Sequence, residues 1–230
     1  MTDFPLAPCL PDDVLDRQRL LPVKPSPVTL TGRFVRLEPL HLDRDVPTLY
    51  AVSNGEPAAL GERSINAYDA DQLVWRYLPG GPFASAMDLS AYLRLQVNAD
   101  NGLALCVFDV ATNKQVGVVT YMNNFPAHLK IELGNIWYSP LVQRTKASLE
   151  STYLLLSHAF DLGYRRLEWK CDAFNERSRR SALRMGFKFE GIHECHFIIK
   201  GRNRDTAWFR ILDREWTYVK SHLESLLKLP

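Results

Sequence analysis

The chain has 230 residues, is 46% hydrophobic and 23% charged, and carries a net charge of +2. That composition suits a globular protein with a sizeable core and argues against a disordered or fibrous chain. No apolar run reaches the roughly 20 residues that a membrane helix needs, and the near-balanced charge gives no bias toward nucleic acid.

Residues 1 to about 30 hold Pro5, Pro8, Pro11, Pro22, Pro25 and Pro27 without periodicity. They read as an arm that wraps the domain or stays mobile, leaving residues 31–230 as the folded domain. The first residues have neither a basic start nor an apolar core, so no secretory signal is expected. Cys9, Cys106, Cys171 and Cys195 lie far apart. They are expected as reduced, mostly buried thiols in the cytoplasm.

From Thr31 the pattern becomes regular. Arg33 to Glu38 alternates polar and apolar residues as a half-buried strand does. Asp43 or Asp45 caps a short helix through Tyr50, with Pro47 in its first turn. Pro79-Gly80-Gly81-Pro82 forces a loop between Trp75 and Phe83. Ser85 then opens a helix to about Asn98. Leu103–Val110 and Gln115–Asn123 read as two strands joined at Thr112-Asn113-Lys114. Ile131–Tyr138 is a third strand, stopped by Pro140. Thr145–Leu162 carries Leu149, Tyr153, Leu156 and Phe160 on one helical face, with Gly163 as the stop. After a strand over Arg166–Ala173, Asn175 caps a helix to Met185. Phe187–Ile199 and Arg204–Leu212 form a last hairpin, and Asp213 caps a closing helix. A hairpin run followed by a β-α-β unit implies a mixed α/β fold, with one sheet and helices on both faces.

The series Leu141-Val142-Gln143-Arg144-Thr145-Lys146, long helix, strand, Asn175-Glu176-Arg177-Ser178 and Met185-Gly186-Phe187 resembles the GNAT superfamily of acetyl-CoA-dependent N-acetyltransferases. Gly32–Leu40, Ile131-Glu132-Leu133-Gly134, His158-Ala159-Phe160, Arg204-Asp205-Thr206 and Asp213-Arg214-Glu215-Trp216 are similar to the branch with ribosomal-protein N-terminal acetyltransferases. The likeness spans residues 31 to about 220. It implies the GNAT fold, with a splayed sheet of about seven strands packed between helices, and acetyl-CoA as cosubstrate without a metal. The family loop before the long helix reads Q/R-x-x-G-x-G/A. Here Lys146 and Ser148 replace its glycines, although a helix N-terminus attracts phosphate whatever its side chains. Gln143, Arg144, Thr145, Lys146, Ala147 and Ser148 are thus the expected diphosphate loop. Asn175 and Arg177 are expected beside the pantetheine arm and the phosphates; alternatively, Asn175 is a cap and Arg177 lies on a solvated face.

Acetyl transfer needs a base for the amine, a donor to the thioester oxygen and a proton for the leaving thiolate. Glu132 sits at the glutamate position of the family motif and is the candidate base; otherwise it is a strand residue pairing with Lys130 or Arg144. Gly134 suggests a bulge or a close ligand approach. The tyrosine that many relatives use as acid is replaced by Ala182, and Ser178 is the substitute that the resemblance implies. Trp75, Tyr77 and Phe83 line an acceptor pocket or form their loop's own small core. Trp208 and Trp216 read as structural. His193-Glu194-Cys195-His196 invites a metal reading, but alternate strand residues face opposite sides, so none is expected.

The expected partner is an amine-bearing small molecule or a peptide or protein N-terminus, with no nucleic acid or membrane. The chain is expected as a monomer or homodimer. A catalytically weak binding or sensor module on the same fold is the alternative.

Overall fold

The computed structural model describes residues 5–228. The expectations for residues 1–4 and 229–230 lie outside the described residues.

The proline-rich stretch contains an element that its sequence did not suggest. Helix α1 (Asp12–Leu20) starts with Asp12 and Asp13, ends with Arg17 and Arg19, and buries none of its residues. Those charges oppose its dipole ends correctly, which offsets the missing apolar stripe. Beyond it the chain lies on the domain: Leu21 is buried, and Asn124 Nδ2 donates to the carbonyls of Pro22 and Val23, each at 2.9 Å.

The main sheet has eight strands rather than about seven, in the order β1-β2-β5-β6-β7-β8-β10-β9. They are β1 (Leu30–Thr31), β2 (Val35–Pro39), β5 (Leu103–Asp109), β6 (Lys114–Phe125), β7 (Lys130–Tyr138), β8 (Arg166–Asp172), β9 (Lys188–Ile199) and β10 (Arg202–Leu212). A separate two-stranded hairpin, β3 (Ala58–Leu60) with β4 (Arg63–Ile65), was not anticipated because each strand has only three residues. All pairs in the main sheet are antiparallel except β7 with β8.

Helices cover both faces. On one side α4 (Ala147–Asp161), α5 (Glu176–Arg184) and α6 (Asp213–Leu227) bury Leu155, Leu156, Ala182 and Leu223 against Leu37, Leu105, Leu133 and Phe209. On the other, α2 (Leu42–Ala51) and α3 (Ala86–Val97) bury Leu49, Leu89 and Leu93 against Ala104, Cys106, Phe108 and Val118. Caps fall where the sequence puts them for α3, where Ser85 accepts from the Asp88 amide, and for α5, where Asn175 accepts from Ser178. The aspartates of α2 act differently: Asp45 is buried inside the helix and accepts the His41 amide at 2.9 Å.

One buried carboxylate locks the start of the domain to its central helix. Glu150, 1% exposed, accepts the backbone amides of Arg33, Phe34 and Val35 at 2.9, 2.6 and 2.8 Å. Gly32 is required there, because a Cβ would collide with that carboxylate.

Candidate active site

Strands β7 and β8 stay paired from Lys130↔Arg166 to Leu133↔Trp169 and then part. Just past that fork β7 bulges: Asn135 takes φ 48°, and the register against β6 shifts between Val118↔Trp137 and Thr120↔Gly134. An extra residue in one strand leaves a backbone amide without a ladder partner. Gly134 precedes the bulge, where a Cβ would run into the Met122 side chain.

Glu132 sits three residues before the bulged Asn135 and is 4% exposed. It pairs with neither Lys130 nor Arg144. Its Oε2 accepts Asn123 Nδ2 at 2.7 Å and Lys170 Nζ at 2.6 Å. The other oxygen, Oε1, takes no partner among the described residues and lies over Gly134, 3.3 Å from where a Cβ would stand. Lys130 pairs with Glu168 instead, at 3.5 Å. Lys170 is the residue that sequence reasoning missed. Its ammonium bridges Glu132 and Glu168 and lies 3.8 Å from the Trp208 ring centroid, a cation held over an aromatic face.

Ser178 stands on the opposite side of the fork. Its Oγ accepts Trp169 Nε1 at 3.0 Å, and Trp169 is the last β8 residue paired to β7. A hydroxyl that accepts from Trp169 can still donate its own proton, and the Cys171 thiol lies within its reach. Glu132 belongs to the sheet face under α2 and α3, whereas Leu133, Trp169 and Ser178 belong to the face under α4 and α5. A reactive group lying in the fork has a carboxylate on one side and a hydroxyl on the other.

The loop after β7 is only partly open. Gln143 spends its amide protons on the carbonyls of Leu73 (2.9 Å) and Tyr138 (3.1 Å). Thr145 Oγ1 accepts the Ala147 amide at 3.2 Å and donates to Val142. Lys146 reaches away to the Leu227 carbonyl at 2.5 Å and lies 5.3 Å from the Phe34 ring centroid. That leaves the amides of Ser148 and Leu149, which take no partner among the described residues, and Arg144, exposed with φ 61°. Two free amides at a helix N-terminus form an anion-binding turn, and the exposed Arg144 lies on the loop that enters it. A cavity of about 450 Å³ opens at the same turn, walled by Arg33, Arg63, Lys146 and Ala147, with Asp109 paired to Arg63 at 2.7 Å.

Asn175 caps α5 through Ser178 at 3.1 Å. Arg177 donates to the Gln72 carbonyl at 2.7 Å, and Tyr77 donates to Phe174 at 3.2 Å. Segment 71–77 thus ties the loop after β7, the start of α5 and, through Lys200 to the Trp75 carbonyl (2.8 Å), the β9–β10 turn. Arg180 pairs with Glu176, a solvated helix-face contact.

The expected acceptor wall needs correction. Trp75 is 1% exposed, donates to the Ser53 carbonyl and packs against Phe83 and Trp137, both at 4.9 Å. Trp75 is core and the partly buried Phe83 packs on it, because the cramped Pro79–Pro82 turn folds them inward. The cavity on that face, about 260 Å³, is walled by Tyr92, Leu95, Gln96, Met122, Asn123 and Asn135. His193 and His196 also depart from expectation. Their rings are 5.2 Å apart on the same side, since β9 bulges at Cys195 (φ 52°) and the strict alternation fails. Among the described residues, no group of three or more metal-ligating side chains stands together, and no helix is long and apolar enough to cross a membrane.

The sequence matches the acetyltransferase (GNAT) domain family over residues 35–188. A GCN5-related N-acetyltransferase from Brucella melitensis is 39% identical, with a TM-score of 0.80 over 89% of this chain and 87% of that one. A GNAT-family protein from Chromobacterium violaceum is 32% identical, with a TM-score of 0.76 over 94% of this chain and 100% of that one. The Salmonella typhimurium acetyltransferase that modifies the N-terminal serine of ribosomal protein L7/L12 shares the fold, at 17% identity and a TM-score of 0.64 over 84% and 98%. No curated protein matches the chain by sequence. The forked sheet, the bulged strand and the helix that opens beyond it are those of an enzyme class, and this chain belongs to the GNAT family of acetyltransferases.

Proposed function

We propose that the chain transfers an acetyl group from acetyl-CoA to an α-amino group, on a peptide or protein N-terminus or a small molecule, by direct attack. The observation that carries this reading is Glu132, a carboxylate only 4% exposed whose Oε1 takes no partner among the described residues and lies beside Gly134, where β7 leaves β8. Acetyl-CoA supplies a thioester-activated acetyl group. Glu132 takes the proton of the attacking amine, directly or through one water, while Asn123 and Lys170 hold its other oxygen still. The amide freed by the Asn135 bulge stabilises the developing oxyanion. Ser178, steadied by Trp169, gives its proton to the leaving sulfur. Arg144 and the Ser148 and Leu149 amides hold the diphosphate. Asn175, besides capping α5, faces the pantetheine arm.

Residues 5–30 form an arm clasping the domain that begins at residue 31, supported by the Asn124 contacts with Pro22 and Val23. All four cysteines are free, which suits the reducing cytoplasm.

A second reading has its own support. The engaged Gln143, Thr145 and Lys146, and the bonds of segment 71–77 across the mouth of the fork, favour a catalytically weak binding module. Titration calorimetry with acetyl-CoA, followed by thiol release with peptide and small α-amines, separates the two. Binding with release on an α-amine is the expected result. Tight binding with no release on any amine establishes the module instead.

A further inference from the structure

Beyond Lys170, the face of the sheet that carries Glu132 continues onto β10 and β9, and among the described residues no helix packs over it. Antiparallel pairing sets Trp208 opposite Lys170 and Thr206 opposite Asp172, and it sets His193 opposite Thr206. Arg204, Thr206 and Trp208 alternate along β10 and share this face. The β9 bulge brings His196 over as well, 5.9 Å from Trp208, with His193 at 4.6 Å.

Four polar atoms in this one patch are buried without a partner among the described residues: Arg204 Nε, Thr206 Oγ1, Trp208 Nε1 and His196 Nδ1. Thr206 is wholly buried. An orphaned buried donor costs about 1–3 kcal/mol, so four side by side are an expensive arrangement unless something else completes them. Two of them, on Arg204 and Trp208, can only donate, and the threonine hydroxyl can donate too. The missing partner is therefore rich in acceptors. The chain's own nearby carboxylates are committed elsewhere. Asp172 accepts the Phe174 amide at 2.8 Å, and Asp205 accepts Cys195 and Asn203. Glu132 and Glu168 are held by Lys170, Lys130 and Arg166, while Glu194 is exposed on the bulge. Burial and the neighbouring His193, Lys170 and Arg204 hold His196 below its ordinary pKa, as a site awaiting a negative charge would.

We infer that Arg204, Thr206, Trp208 and His196 form a carboxylate subsite for the acceptor, reached when the exposed bulge at 194–196 lifts the His196 ring. The inference rests on the acetyl-transfer reading for the position of the amine. Glu132 is level with Glu168 on β8 and so with Arg210 on β10, whereas Thr206 is level with Asp172, so the subsite lies two strands across and four residues along, about 16 Å away at the usual spacings. An extended peptide covers about 3.3–3.6 Å per residue, so the carboxylate belongs at about the fifth residue. The favoured acceptor is thus a peptide N-terminus with an acidic fifth side chain, or a pentapeptide whose C-terminal carboxylate stands there.

Two matched pairs of peptides test this with the full chain. Ser-Ala-Ala-Ala-Asp-Ala-Ala-amide is compared with its Asn counterpart, and Ser-Ala-Ala-Ala-Ala as the free acid with its amide. Each is measured by kcat/KM for acetylation and by calorimetric Kd, in the native protein and in Arg204→Gln and Thr206→Val. The acidic member of at least one pair is expected to be favoured tenfold or more, and both substitutions should bring that ratio close to one. Which pair discriminates identifies the source of the carboxylate. Thr206→Val should leave the melting temperature unchanged or higher, because it removes an unpaired group; a marked loss would mean that the hydroxyl is structurally bonded and would overturn the subsite. Equal handling of both pairs in rate and affinity overturns it as well. Preferential binding of the acidic peptides without turnover would keep the subsite and sink the acetyl-transfer reading.

Discussion

One face of the sheet is built in two contrasting halves. Over β5, β6 and the end of β7, helices α2 and α3 cover an apolar cluster of Ala104, Cys106, Phe108, Val118 and Trp137, at whose edges the pairs Gln115–Asp45 and Thr120–Gln96 are buried. Over β7, β8 and β10 no helix arrives, and the same face presents Glu132, Glu168, Lys170, Thr206, Trp208 and Arg210. The covered half is held by burial, at about 25 cal/mol per Å² of apolar surface. The open half is held by ion pairs and hydrogen bonds that cross strands, such as Lys170 to Glu132 at 2.6 Å and Lys130 to Glu168 at 3.5 Å. An uncovered sheet face cannot be apolar without attracting other chains, so it must be polar. Polar groups packed that closely are also the ones able to do chemistry. Stability and activity are therefore expected to separate between the halves.

The sharpest way to break the contrast is Glu132→Gln. The neutral amide keeps the shape and can still accept from Lys170, but it cannot take a proton. Turnover should fall about 10²- to 10⁴-fold, the usual worth of a positioned base, with acetyl-CoA affinity by calorimetry nearly unchanged. The deficit should narrow as pH rises and the amine loses its proton unaided. An unchanged rate would remove Glu132 from the mechanism and leave the open half merely structural. The complementary change is Trp75→Ala in the covered half. That side chain fills space against Phe83, Tyr92 and Trp137, so chemical denaturation should show a loss of about 3–5 kcal/mol. Trp208→Phe in the open half, which deletes an N–H that bonds nothing, should cost about 1 kcal/mol or less. Similar losses for the two tryptophans would erase the distinction between the halves.

What the sequence reveals of this architecture follows the same division. Helix α4, the Asn175 cap and the strands from β5 to β7 are legible because their signals are local: an apolar stripe, a side chain bonding three residues on, alternation between turns. The resemblance to GNAT enzymes rests on those same local motifs. The Glu132–Lys170 pair is not legible, since it depends on the parallel register that sets Glu132 beside Glu168 across residues distant in sequence. The grouping of His193 with His196 is hidden by a bulge that breaks the alternation used to separate them. Trp75 misleads for another reason. Glycine and proline around an aromatic residue signal a loop, but not whether the loop folds its ring inward. Helix α1 escapes notice because it has no buried face and is carried by terminal charges alone.

The smallest effect worth measuring lies at the fork itself, where one residue serves both stability and binding. Asn175 Oδ1 accepts the Ser178 amide, which completes the first turn of α5 and also fixes the backbone of the serine whose hydroxyl faces Trp169. Asn175→Ala removes that cap and should cost about 1 kcal/mol of stability. If the residue also faces the pantetheine arm, acetyl-CoA affinity should drop by more than the unfolding of one helical turn explains, and Asn175→Asp, which preserves the cap, should restore stability but not affinity. Calorimetry on both variants reads the difference. Equal acetyl-CoA affinity in the native protein and in both variants would confine Asn175 to its role as a cap. The α5 side of the fork would then hold the cofactor through Ser178 and the helix terminus alone.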